Sequence, residues 1–176
     1  LSVNTAGTYQ LTVTTNQGCS AVKELEVVSW VLPAPEISGD FDFCSGGSTV
    51  LNGGDNYSNY QWSVAGETEQ MLSTSIAGDY MLTVTDANGC QGADTVSLTA
   101  LPLPVPIIDG DLAFCPEENT VLSSQDEFMS YNWSNGAETS MVTINQAEVV
   151  GLTVTDVNNC MGSTDVATSV LATTAP

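Results

Sequence analysis

The sequence predicts an all-β chain of tandem β-sandwich modules, each with about seven short strands. Three observations carry that expectation. In Gly78-Asp79-Tyr80-Met81-Leu82-Thr83-Val84-Thr85, apolar Tyr80, Leu82 and Val84 alternate with Met81, Thr83 and Thr85, the period of a strand with one buried face. Asp86-Ala87-Asn88-Gly89-Cys90 follows, and Asn and Gly tolerate the positive φ of tight turns. The phrase then recurs. Cys19 to Cys90 is 71 positions and Cys90 to Cys160 is 70, while Cys44 to Cys115, Trp62 to Trp133 and Pro35 to Pro106 are each 71. Independent markers sharing one period establish internal repetition.

In chain order, residues 1–32 read as the C-terminal half of a first module. Tyr9, Leu11 and Val13 are expected to form a buried face, and Leu25 and Val27 that of its last strand. Leu32-Pro33-Ala34-Pro35 is a stiff linker, because proline fixes φ and removes a donor. Residues 33–102 form a complete module. Its expected strands are Glu36-Ile37-Ser38, Thr49-Val50-Leu51, Tyr60-Gln61-Trp62-Ser63, residues 71–76, the Tyr80 strand and residues 94–99, with a turn at Cys44-Ser45-Gly46-Gly47. Leu101-Pro102-Leu103-Pro104-Val105-Pro106 is the second linker. Residues 103–176 repeat the plan, with Tyr131, Trp133, Val142, Ile144, Leu152, Val154 and Val166 at core positions.

Charge excludes several functions. The 176 residues carry 21 acidic side chains, one basic one (Lys23) and no histidine, for a formal net charge of −20. Nothing is present to neutralise phosphates, so nucleic acid is excluded as a partner, and anionic membrane surfaces should repel the chain. Only 12% of residues are charged, which argues against extreme halophily. No apolar run reaches about 18 residues, so no direct membrane insertion is expected. No signal peptide is present. The opening Leu1-Ser2-Val3 aligns with the interior of a repeat, which reads as a piece of a longer polypeptide.

Phe43-Cys44-x-Gly46, Tyr60-x-Trp62-Ser63 and Gly78-x-Tyr80-x-Leu82-Thr83-Val84-Thr85-Asp86-x-Asn88-Gly89-Cys90 resemble the Ig-like and PKD-like repeats of large Bacteroidota surface and secreted proteins. The resemblance covers the whole chain. It implies tandem immunoglobulin-like sandwiches, with Trp62 between the sheets and Tyr80 at a corner before the penultimate strand. It also implies an extracellular or cell-surface location. Two positions depart from the immunoglobulin pattern. Leu82 stands where antibody domains carry a bridging cysteine, and Glu148-Val149-Val150 replaces Gly-x-Tyr in the third module.

Five cysteines without a metal-type Cys-x-x-Cys pair suggest disulfides and an oxidising compartment. Within-repeat pairing would join Cys44 to Cys90 and Cys115 to Cys160, leaving Cys19 to a partner upstream. The resembled topology offers an alternative. Its first and last turns lie at opposite poles of a module, too far apart for a bridge, and Cys44 would then meet Cys160 across a module junction.

Candidate sites are few. Without histidine, a nucleophile–base arrangement cannot be assembled, so no enzyme is expected. The acidic pairs Asp40/Asp42 and Glu117/Glu118 fall in expected loops. Calcium is the one cofactor considered: Asp40, Asp42, Asp109 and Asp111 recur near module starts, and Asp86, Asn88, Asp156 and Asn158 recur in the late turn. Such hard oxygen ligands could stiffen junctions, but Asp and Asn are also ordinary turn formers. Trp62 and Trp133 read as core, and Trp30 as packing near a linker. Asn56-Tyr57-Ser58 and Asn132-Trp133-Ser134 match N-glycosylation sequons. Asp94-Thr95-Val96 resembles the O-glycosylation signal of Bacteroidota.

The expected function is a structural repeat region: a rigid, disulfide-stabilised stalk or filament whose partners are neighbouring modules. The alternative is a ligand-binding adhesin, with loops at residues 53–59 or 126–130 meeting glycan or protein. A third expectation is self-assembly, since the first module lacks its early strands and these would come from upstream or from another subunit.

Overall fold

The computed structural model describes residues 2–172. Among these residues the secondary structure is β only, an all-β architecture of packed sheets. The strands are β1 (Gly7–Thr14), β2 (Ser20–Val27), β3 (Asp42–Cys44), β4 (Thr49–Asn52), β5 (Asn59–Trp62), β6 (Met71–Thr74), β7 (Gly78–Thr85) and β8 (Gln91–Leu101). They continue as β9 (Ile108–Asp109), β10 (Ala113–Phe114), β11 (Thr120–Ser124), β12 (Ser130–Trp133), β13 (Met141–Ile144), β14 (Val149–Thr155), β15 (Met161–Ala167) and β16 (Ser169–Val170).

Two compact units emerge. The first takes in residues up to Gly39, Leu51–Leu72 and Asp79–Val96. Its buried side chains are Ile37, Leu51, Trp62, Leu72, Tyr80, Leu82 and Val84. Antiparallel pairing of β5 with β7 sets Trp62 opposite Leu82 and Tyr60 opposite Val84, so the alternation read from sequence becomes one inward face. The Trp62 indole N–H donates to the Glu69 carbonyl at 2.9 Å. That bond lets a large aromatic be buried without an orphaned donor.

The second unit takes in Asp40–Val50, Ser73–Gly78 and the chain from Ser97 on. Its core joins Phe114, Leu122, Trp133, Val142, Ile144, Val150, Leu152 and Val154. The three-stranded sheet β12-β14-β15 is matched by a second, β13-β11-β9. Trp133 again donates its indole N–H, here to the Thr139 carbonyl at 2.8 Å. Val150 takes the place of the corner tyrosine and is fully buried, so the departure at Glu148-Val149-Val150 leaves the core filled.

Three expectations need correction. Glu36-Ile37-Ser38 is not a strand; only Ser38 bridges, to Asn52. The expected strands omit one that precedes the Cys44–Gly47 turn: Asp42, Phe43 and Cys44 pair in parallel with Thr99, Ala100 and Leu101, and the turn follows, with the Gly47 amide donating to the Cys44 carbonyl at 2.8 Å. The β1–β2 hairpin does not bury its apolar face. Leu11, Val13 and Leu25 are 64%, 57% and 65% exposed. The register sets Tyr9 opposite Leu25 and Val13 opposite Ala21, as an inward face requires, but these two strands form a sheet of their own.

Candidate functional site

The feature with most chemical content is the disulfide between Cys44 and Cys160, with a Cα–Cα distance of 5.5 Å. It follows from three local arrangements. First, β3 runs parallel to the end of β8, so Cys44 faces Leu101, and the Ser45 amide donates to the Leu101 carbonyl at 2.8 Å. Second, the linker leaving Leu101 passes over Gly162, where any Cβ would overlap the Pro104 carbonyl. Third, Cys160 precedes Gly162 by two residues and is fully buried. The linker thus carries the chain from beside one cysteine to beside the other.

The late turn that presents Cys160 is organised by Asp156. Its Oδ1 accepts the Asn158 amide at 2.8 Å and the Cys160 amide at 2.9 Å, while the Asp156 amide donates to the Cys160 carbonyl at 3.0 Å. Asp86 does the same in the second repeat, accepting the Asn88 and Cys90 amides, each at 2.8 Å. In the first repeat Thr15 replaces the aspartate, and its hydroxyl accepts the Cys19 amide at 3.2 Å. These are turn-forming contacts of the Asx and ST type.

The within-repeat cysteine pairs are overturned. Among the described residues Cys44 bridges Cys160 instead, and Cys19, Cys90 and Cys115 are bridged to no other cysteine. The reason is register. β10 pairs in parallel with β16, setting Phe114 opposite Val170, so Cys115 stands level with Leu171. Cys160 lies eleven residues earlier in the sequence, about 35 Å at an extended rise, whereas bridged Cα atoms stand within about 7 Å. In the second repeat, Cys44 stands level with Leu101 and Cys90 is again eleven residues earlier.

The calcium candidates do not converge. Among the described residues no group of three or more acidic, histidine or cysteine side chains could hold a metal ion. Asp40, Asp42, Asp109 and Asp111 are exposed. Asp40 and Asp111 act through their backbone carbonyls, which accept the buried Thr49 and Thr120 hydroxyls at 2.6 and 2.7 Å. Asp109 accepts the Gly110 amide at 3.0 Å. Glu117 and Glu118 are exposed in the turn after Cys115. Trp62 and Trp133 are core, as expected, whereas Trp30 is exposed. Asn56, Asn132 and Thr95 are exposed; the Asp94 carboxylate accepts the Ile37 amide at 2.8 Å.

A shallow groove of about 680 Å³ lies on the β12–β14 face, lined by Ser130, Asn132, Glu138, Thr139, Thr153 and Met161 among others. The candidate contact loop at residues 126–130 reaches the groove at Met129 and Ser130, whereas Asn132, Thr153 and Met161 on the strands and Glu138 and Thr139 between β12 and β13 were not expected to line a site. Apart from Asn132, which opens a sequon, they carry no motif.

No protein-family model matches the sequence, and no curated protein matches it. Solved structures similar to it include murine CEACAM1b, at 10% identity and TM-score 0.35, covering 77% of this chain and all of that one. Another is a Ca2+-stabilised adhesin with which an Antarctic bacterium binds ice, at 12% identity and TM-score 0.45, covering 93% of this chain and 56% of that one. A third is the human desmocollin-1 ectodomain, at 13% identity and TM-score 0.28, covering 91% of this chain and 41% of that one. The chain therefore spans about half or less of the latter two.

Proposed function

We propose that the chain is a structural repeat region of an extracellular bacterial surface protein, part of a stalk or filament that supplies reach rather than catalysis. The observation that carries this reading is the Cys44–Cys160 bridge, which ties one repeat to the next. Both cysteines lie in the second compact unit, so the bridge pins an early stretch of the second repeat into the body of the third and keeps the span between them from extending under load. Disulfides persist in oxidising compartments outside the cytosol. The resemblance to Bacteroidota surface repeats and the adhesin and ectodomain among the similar structures accord with the same location. With one basic residue in the chain, trypsin-type proteases find almost nowhere to cut.

Single-molecule pulling tests the reading. Without reductant, the 116-residue span between the bridged cysteines should stay out of the extended contour. With reductant, it should add about 400 Å of fully stretched chain. Equal contour lengths in both conditions would remove the mechanical role.

The groove around Ser130, Asn132 and Glu138 favours a second reading, in which this face takes glycan through hydroxyl and carboxylate contacts. Glycan-array binding that disappears in an Asn132→Ala, Glu138→Ala variant would support it over the stalk.

A further inference from the structure

We infer that each bridge in the array joins the early cysteine of one repeat to the late cysteine of the next, and that Cys90 and Cys115 bond cysteines of further copies of this same repeat. The bridge on display supplies the rule. Cys44 ends the early strand of the second repeat, and Cys160 ends the late turn of the third. Cys90 sits in the same kind of turn as Cys160. Asp86 holds it as Asp156 holds Cys160, with matching pairs of amide bonds. Two residues on, Gly92 lies under the Pro33 carbonyl as Gly162 lies under that of Pro104. Cys115 likewise matches Cys44. The register of β10 on β16 repeats that of β3 on β8, and Gly47 and Glu118 each donate an amide back to the preceding cysteine's carbonyl, at 2.8 and 3.2 Å.

A second feature identifies what brings a cysteine to Cys90. In the second repeat, the early strand pairs with Thr99–Leu101, at the end of the last strand. The positions 71 earlier are Val28, Ser29 and Trp30, beyond the end of β2. Val28 and Trp30 are 53% and 58% exposed, and the linker from there runs to Pro33, over Gly92. An early strand pairing with residues 28–30 would therefore deliver its cysteine to Cys90. The same early half would cover Leu11, Val13 and Leu25, which lie on the equivalent of the inward face of β7 and β8. The occupant is the early half of another copy of this repeat, with its Phe-Cys strand end.

Each bond forms by thiol–disulfide exchange with a disulfide-bearing oxidant, through a mixed disulfide. Two S–H bonds are lost, one S–S bond forms, and the donor disulfide takes up both protons and two electrons to become a dithiol.

This deepens the stalk reading by naming its covalent neighbour, and its test reads connectivity, independent of pulling or glycan data. Native protein is alkylated at once to block free thiols, then cleaved at Asp and Glu and mapped without reduction. The expected result is Cys44 joined to Cys160, Cys90 joined to a peptide with an early Phe-Cys turn, and Cys115 joined to a peptide with a late Asp-x-Asn turn. Denaturing, non-reducing mass then tells whether the copies belong to one chain or several, and either answer supports the inference. Alkylated Cys90 or Cys115, a Cys90–Cys115 bond, or caps of small thiols would overturn it.

Discussion

Cys44 and Cys160 are 116 residues apart in sequence, yet their Cα atoms stand 5.5 Å apart. A closed loop of that length restricts the unfolded chain strongly, so the bridge should stabilise by about 3–5 kcal/mol. Thermal unfolding of the Cys44→Ala, Cys160→Ala double variant should show a lower midpoint than the parent, and reductant should lower the parent's midpoint but leave the variant's unchanged. Equal midpoints for parent and variant would mean that the bridge adds nothing to cohesion.

Glycine is required at positions 92 and 162 by contact with the linkers. A Cβ at either would overlap a proline carbonyl, Pro33 in one case and Pro104 in the other, and a backbone carbonyl has no rotamer with which to move aside. Gly162→Ala should cost about 1–3 kcal/mol, as overpacking does, and should also slow formation of the Cys44–Cys160 bridge by lifting the linker. Urea unfolding and the yield of bridged protein on refolding measure the two effects. The first repeat has Ala21 at the equivalent position, so a linker cannot approach β2 there in the same way.

The late turns separate a structural aspartate from a calcium ligand. Asp156 Oδ1 accepts two backbone amides, a task that an Asn side-chain carbonyl can also perform. Asp156→Asn should therefore lose under about 1 kcal/mol, and Asp156→Ala about 1–3 kcal/mol through two unsatisfied amides. Chemical denaturation with and without a chelator checks this. Equal damage from Asn and Ala, together with loss of parent stability on chelation, would mean that the carboxylate charge binds a cation.

The sandwich was legible because strand alternation is local. Tyr80, Leu82, Val84, Trp62 and Trp133 each reach the core that their spacing implies. The cysteine pairing was less legible because it depends on a non-local parallel contact. β3 is three residues long, begins on an exposed aspartate and ends on the cysteine, so its strand character is masked by turn chemistry on both sides. The sequence does carry one usable signal: both complete repeats have glycine two residues after the late cysteine, at Gly92 and Gly162, a mark of close backbone approach. The exposure of Leu11, Val13 and Leu25 had no local signal at all, because their alternation is that of a buried strand and only the company of a second sheet decides burial.

Tryptophan fluorescence tests the burial pattern in solution. Trp62 and Trp133 are 3% and 1% exposed, while Trp30 is 58% exposed. A neutral quencher is needed, since a chain of net charge −20 repels iodide and would make exposed indole look protected. Acrylamide should quench one component readily and leave the rest of the emission slow to respond. Trp30→Phe should remove the quenchable component, and because that side chain lies outside both cores the variant should unfold at the parent's urea midpoint. Trp133→Phe should behave in the opposite way. It should leave the quenchable component in place and cost about 1–3 kcal/mol, because the Thr139 carbonyl loses its donor and the smaller ring leaves space behind. Ready quenching that survives Trp30→Phe would place water beside Trp62 or Trp133 and would mean that the two sheets part in solution.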